Sequence, residues 1–158
     1  MKSISSLRQV LALTAIAVLS SAVLAQTTSM PIKPMASMPG GALSTLSSAA
    51  EVPPNTSGGT GTVETAFNKQ TNELSWVVTY QGLSGPLTAA HFHGPAMPGA
   101  NAGVVVPVAA GITASPIKGS ATLTPAQAAD LSAGKWYLNL HTAANPGGEV
   151  RAQIAPQP

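Results

Sequence analysis

From residue 43 onward, apolar positions recur at short intervals between turn-forming residues. The clearest stretch is residues 74–80, where Leu74, Trp76, Val78 and Tyr80 alternate with Ser75, Val77 and Thr79. A period of two sends successive side chains to opposite faces, so this segment reads as a strand with one buried side. The same reading places strands near residues 43–50, 62–67, 88–92, 104–108, 117–123, 135–142 and 148–154, separated by Gly-, Pro- and Asn-rich turns such as Gly58-Gly59-Thr60-Gly61 and Asn145-Pro146-Gly147. One short helix interrupts them. Thr124 is positioned as its N-cap, Pro125 as its first residue, Gln127 as the capping-box partner and Gly134 as its terminator.

Composition supports many short strands over helices. The chain has 158 residues, of which only 8% are charged, with 15 Gly, 14 Pro and no Cys. A charged fraction far below the usual ~25% disfavours a solvated helical bundle, and the length holds one small domain. Residues 1–25 read as a signal peptide: Lys2 and Arg8 precede an apolar run too short to span a bilayer, and small side chains lead to a cut after Ala25. That reading predicts a periplasmic or secreted product, with no membrane span after cleavage. Without Lys2 and Arg8, five basic residues (Lys33, Lys69, Lys118, Lys135, Arg151) balance five acidic ones (Glu51, Glu64, Glu73, Asp130, Glu149). A neutral chain lacks the charge needed to neutralise a run of phosphates, which argues against nucleic acid as a partner. Residues 26–42 read as a flexible Pro/Ser/Met-rich arm, and the folded domain spans residues 43–155.

Assigning strand faces exposes candidate chemistry. If Trp136, Leu138 and Leu140 point into the core, Tyr137, Asn139 and His141 point the other way. If Val150, Ala152 and Ile154 point inward, Glu149, Arg151 and Gln153 point outward. A hairpin centred on Asn145 then pairs His141 with Glu149, Asn139 with Arg151, and Tyr137 with Gln153. In Ala90-His91-Phe92-His93, Phe92 is the core residue, so His91 and His93 project together from the other face, about 7 Å apart by strand geometry. These three histidines are all the chain contains. His141 completes a three-imidazole set if its strand lies beside the His-X-His strand.

Three imidazoles suit copper or, alternatively, zinc. Soft thioethers nearby would favour copper, and Met97 follows His93 while Met30, Met35 and Met38 lie in the arm. Around the ligands, Glu149 is expected to orient His141, and Arg151 to pair with Glu149 or cap carbonyls, with Asn139 and Tyr137 completing the surroundings.

Several stretches together resemble a known family, the chordin-type (CHRD) domain of secreted bacterial and animal proteins. They are Ala90-His91-Phe92-His93-Gly94-Pro95-Ala96, Gly103-Val104-Val105-Val106, the segment from Leu131 through Trp136-Tyr137-Leu138-Asn139-Leu140-His141-Thr142, and Pro146-Gly147-Gly148-Glu149-Val150-Arg151-Ala152-Gln153. The resemblance implies an all-β, immunoglobulin-like antiparallel β-sandwich. Its His-X-His is similar to the copper loop of Cu,Zn superoxide dismutases. Ala152 departs from the family, where glycine is common. No catalytic role comes with the likeness.

The reading favoured by these residues is an exported protein that binds a metal ion, copper above all, for storage, delivery or sensing. A second is a metal-free adhesion or protein-interaction module that uses the outer sheet face or a sheet edge. A third is a copper-dependent oxidoreductase, which three histidines and no cationic funnel support weakly. A Ser-His-Asp arrangement fails on pattern, since the sole aspartate, Asp130, falls in the predicted helix.

Overall fold

A computed structural model describes residues 41–110 and 114–155. The expected leader and the arm up to residue 40, including Met30, Met35 and Met38, lie outside the described residues. Eight strands follow in order: β1 (Ala42–Ser47), β2 (Thr60–Asn68), β3 (Glu73–Gln81), β4 (Leu87–His93), β5 (Val104–Ala110), β6 (Ile117–Thr122), β7 (Tyr137–Thr142) and β8 (Val150–Gln153). Among the described residues the single α-helix, α1 (Pro125–Ser132), lies between β6 and β7.

All strand pairings are antiparallel, and they run in the order β5-β4-β7-β8-β1-β2-β3-β6. This sheet curls until its two end strands, β5 and β6, approach each other. The result is an all-β, nearly closed sandwich whose two halves belong to one continuous sheet. Curling lets every strand turn its apolar side to one core, and it leaves little open edge.

The core follows the predicted alternation. Leu74, Trp76 and Val78 of β3, Phe92 of β4, Leu138 and Leu140 of β7, and Val150, Ala152 and Ile154 around β8 are buried together. Phe92 is fully buried between Trp76 and Trp136, edge-on to Trp76 with centroids 5.4 Å apart and 6.1 Å from Trp136. The helix forms as its signals specify: Thr124 Oγ1 accepts from Gln127 N–H, and Gln127 Oε1 accepts from Thr124 N–H. Gly134 closes it at φ +70°, a left-handed conformation that glycine adopts without a Cβ penalty.

Several strand boundaries differ from expectation, two of them at a visible change in hydrogen bonding. The first strand ends at Ser47, where a 3₁₀ turn over Ser48–Ala50 begins. Ser48 O accepts from both Glu51 N–H and Asn55 N–H, which bends the chain away from the sheet. The seventh strand starts at Tyr137 because Lys135 O is taken by Ala96 N–H, outside the ladder.

A larger correction concerns the side of β4, β7 and β8 away from the core. The alternation directs Tyr137, Asn139, His141, Glu149 and Arg151 outward as expected, yet all five are buried. Two loops roof this face. Residues 51–59 follow β1 and its 3₁₀ turn, and residues 94–103 follow β4. They meet where Asn101 Nδ2 donates to Val52 O at 2.9 Å. Asn55 Nδ2 ties the first loop to the start of β8 by donating to Gly148 O and Glu149 O.

Glu149, whose side chain is fully buried, ties the first loop to β7 and to the β3–β4 connection. Its carboxylate accepts from the hydroxyls of Ser57 (2.5 Å), Ser84 (2.6 Å) and Thr142 (2.5 Å), and from Ser84 N–H at 2.6 Å. Burial alone would raise its pKa, but these donors outweigh burial and hold it at about 2. With the folded value depressed below 4.5, the associated stability is complete above that pH and is lost as pH falls toward 2. Urea unfolding at a series of pH values is expected to show this acid limb. Glu149→Gln should lower stability at pH 7 by about 2–3 kcal/mol, as expected for losing hydrogen bonds to a charged group, and should flatten that limb.

Candidate metal centre

β4 and β7 are direct neighbours, with His91 opposite Asn139, His93 opposite Tyr137, and Ala89 opposite His141. His91 and His141 are therefore diagonal neighbours on one face, and the period of two puts His93 beside them. The imidazole centroids lie 5.0 Å apart for His91 and His141, 5.7 Å for His91 and His93, and 6.4 Å for His93 and His141. One nitrogen from each ring falls within 4.8 Å of the others.

The rings are oriented by their surroundings. His141 Nδ1 faces Pro146 O at 2.9 Å, and His93 Nδ1 faces Ala102 O at 3.0 Å. A carbonyl can only accept, so each Nδ1 carries the proton and each Nε2 presents a lone pair. His91 Nδ1 and His141 Nε2 are 3.2 Å apart, which makes His91 the donor in that contact. His93 Nε2 is buried without any hydrogen-bond partner. A desolvated, unpaired acceptor beside two other imidazoles is an electron pair available to a cation.

The electrostatics agree. Burial pulls the His91 pKa below 6.5, and the neighbouring His141 and His93 lower it further. Burial also lowers that of His141; the hydrogen bond to Pro146 O opposes this, and His93 adds to it. Both rings are thereby kept neutral, the form that ligates metals.

The expected surrounding residues are present, but their contacts differ. Glu149 does not orient His141, because its carboxylate is occupied by Ser57, Ser84 and Thr142; Pro146 O takes that place. Of the two roles expected for Arg151, pairing with Glu149 is not seen and capping of a carbonyl is. It holds loop oxygens, donating from Nη2 to Ala100 O at 2.7 Å and from Nη1 to Asn101 Oδ1 at 3.0 Å. Its guanidinium also lies 3.3 Å from the centre of the Tyr137 ring. Tyr137 in turn stacks on His93, with centroids 4.8 Å apart and planes within 3° of parallel. Asn139 donates to Gly147 O, and Met97 is 60% exposed on the second loop.

Glu51 is a buried acid of this layer that the alternation missed, because it stands in a turn with no strand periodicity. Only 5% exposed, it lies against Asn139 and Gly148 and near Arg151. Burial pushes its carboxyl up to about 7, against the lowering effect of the Arg151 charge and hydrogen bonds from Val52 and Asn139. Gly148 allows this approach: its φ is +135°, and a Cβ there would collide with the Glu51 carboxyl and the Asn139 amide.

The CHRD domain family model matches residues 43–154. No curated protein and no solved structure matches the chain.

Because His91 and His141 are held below 6.5, their contribution to stability is complete above that pH and is lost as pH falls through it. Urea unfolding between about pH 7.5 and 5.5 is expected to show a stability decrease on acidification. The double variant His91→Gln/His141→Gln should have a smaller slope over that interval.

Proposed function

The chain belongs to the CHRD domain family, and from that premise we propose that it binds a metal ion, copper in preference to zinc, through His91, His93 and His141, for storage, delivery or sensing. The observation that carries this reading is the unpartnered, buried Nε2 of His93, grouped with two further imidazoles. Nitrogens bound to one ion at about 2.0–2.1 Å lie about 3.3–3.6 Å from each other. His91 and His141 already stand at 3.2 Å, so modest ring rotations suffice to gather the set.

In this reading His93 and His141 offer Nε2, each fixed by a carbonyl on its Nδ1, and His91 gives up its hydrogen bond to His141 when the ion arrives. Three neutral nitrogens with no thiolate and no carboxylate suit Cu(I), Cu(II) or Zn(II) over Mg(II) or Ca(II). Exposed Met97 is the thioether that would favour copper in transfer. Export through residues 1–25 to a periplasmic or extracellular location belongs to the same proposal. A metal-free interaction module is the competing reading, favoured by the family resemblance alone.

Titration of the purified domain with Cu(I), Cu(II) and Zn(II) tests the proposal, alongside the His91→Ala/His93→Ala/His141→Ala variant. Submicromolar binding, lost in the variant and accompanied by a rise in Tm on metal addition, is expected. Cu(II) should give only the weak colour of nitrogen and oxygen ligands, since the sequence has no Cys. Absence of binding to all three ions would overturn the metal reading.

A further inference from the structure

Among the described residues, the polar atoms nearest the imidazoles form a connected arrangement that starts at a buried arginine. Arg151 is 1% exposed. Its two terminal nitrogens hold Ala100 O and Asn101 Oδ1, consecutive positions on the loop over residues 94–103. The next residue, Ala102, supplies the carbonyl that faces His93 Nδ1. The same Ala102 also bonds Tyr137 through both backbone groups: its N–H donates to the phenolic oxygen at 3.1 Å, and its carbonyl accepts the phenolic O–H at 3.3 Å. Tyr137 lies between the Arg151 guanidinium and the His93 ring, so the three planar groups form one column.

Resting on the metal reading above, we propose that Arg151 is the positioning residue of the centre, acting through the Ala100–Ala102 backbone and Tyr137 to hold His93 as the Nδ1–H tautomer with Nε2 free for the ion. A carbonyl on a loop has no ladder to fix it, and a displacement of about 1 Å would lengthen its bond to His93 beyond hydrogen-bond range. The buried guanidinium removes that freedom at two points and braces the ring from its other side. Its planar fork suits two separate acceptors and an aromatic face at once, which an ammonium group does not. His141 serves as an internal reference, because its carbonyl partner, Pro146 O, belongs to the β7–β8 turn, away from the loop that Arg151 holds.

Nitrogen-15 NMR of the histidine side chains in the metal-free protein is the primary test, followed by Zn(II) and Cu(I) titration of the same samples. The variants are Arg151→Met, Tyr137→Phe and Asn101→Ala. The last removes one guanidinium contact, together with the Asn101 bond to Val52 O, from an exposed position and keeps the arginine with its bond to Ala100 O, so it remains informative if Arg151→Met does not fold.

In the wild type, both His93 and His141 are expected as Nδ1–H forms. In Arg151→Met, His93 should become a tautomer mixture while His141 keeps its signature, and metal affinity should drop about 10–100-fold. Asn101→Ala and Tyr137→Phe should shift His93 in the same direction, with affinity losses on the order of threefold to tenfold. An unchanged His93 signature in the folded variants would overturn the positioning role, whatever the metal titration shows. A shifted signature in a protein that binds no metal would sustain the positioning of His93 and overturn only the metal reading.

Discussion

The structure depends on keeping a polar sheet face out of water. The outer side of β4, β7 and β8 carries imidazoles, an amide, a carboxylate and a guanidinium, and each would cost several kcal/mol if buried without partners. Two loops cover this face, and most polar groups beneath them are paired with a loop backbone group or hydroxyl. Glu149 secures the first loop through Ser57, and Arg151 secures the second through Ala100 and Asn101. The Asn101 to Val52 bond joins the two. The domain therefore has a polar, hydrogen-bonded layer outside its sheet in addition to the apolar core within.

That layer explains the division of labour between the charged residues. Glu149 is surrounded by donors and stays ionised, with a pKa near 2, whereas Glu51 has burial without enough donors and rises to about 7. The two carboxyls differ in environment and not in chemistry. Arg151 lies nearer the weakly compensated acid, and its fixed hydrogen bonds go to neutral oxygens of the loop. The pairing of charges is thus loose, while the hydrogen bonding is dense.

Among the described residues, Glu51 Oε1, Asn139 Oδ1, Gln153 Oε1 and His93 Nε2 are side-chain atoms of this layer that are buried without a hydrogen-bond partner. The first two sit together beside Gly148, and Gln153 is held by its amide nitrogen on Ala96 O and Gly134 O, whereas His93 Nε2 belongs to a cluster of imidazoles. His93 and His141 have their Nδ1 protons committed to carbonyls, which leaves Nε2 as the basic nitrogen of each ring. Buried structural histidines ordinarily use both nitrogens; His93 leaves one unused. This imbalance is the feature on which the proposed metal reading rests, in preference to a network that only holds two segments together.

Much of this was legible in the chain. Alternation in residues 74–80 and 136–140 assigned the strand faces, and the pairs Tyr137 with Gln153 and Asn139 with Arg151 occur in the register expected from a hairpin about Asn145. Phe92 between two histidines forced both imidazoles onto one side, since side-chain direction in a strand is fixed by the backbone. Local signals likewise set the helix through Thr124, Pro125 and Gln127. Tertiary structure alone decided what covers that side. Loop paths obey no period, so nothing in the spacing of Glu51, Ser57, Ser84 or Ala102 announced that they would meet the hairpin. The engagement of Glu149 by Ser57 and Ser84, the burial of an outward face, and the fixing of His93 by the carbonyl of Ala102 all follow from where the loops come to rest.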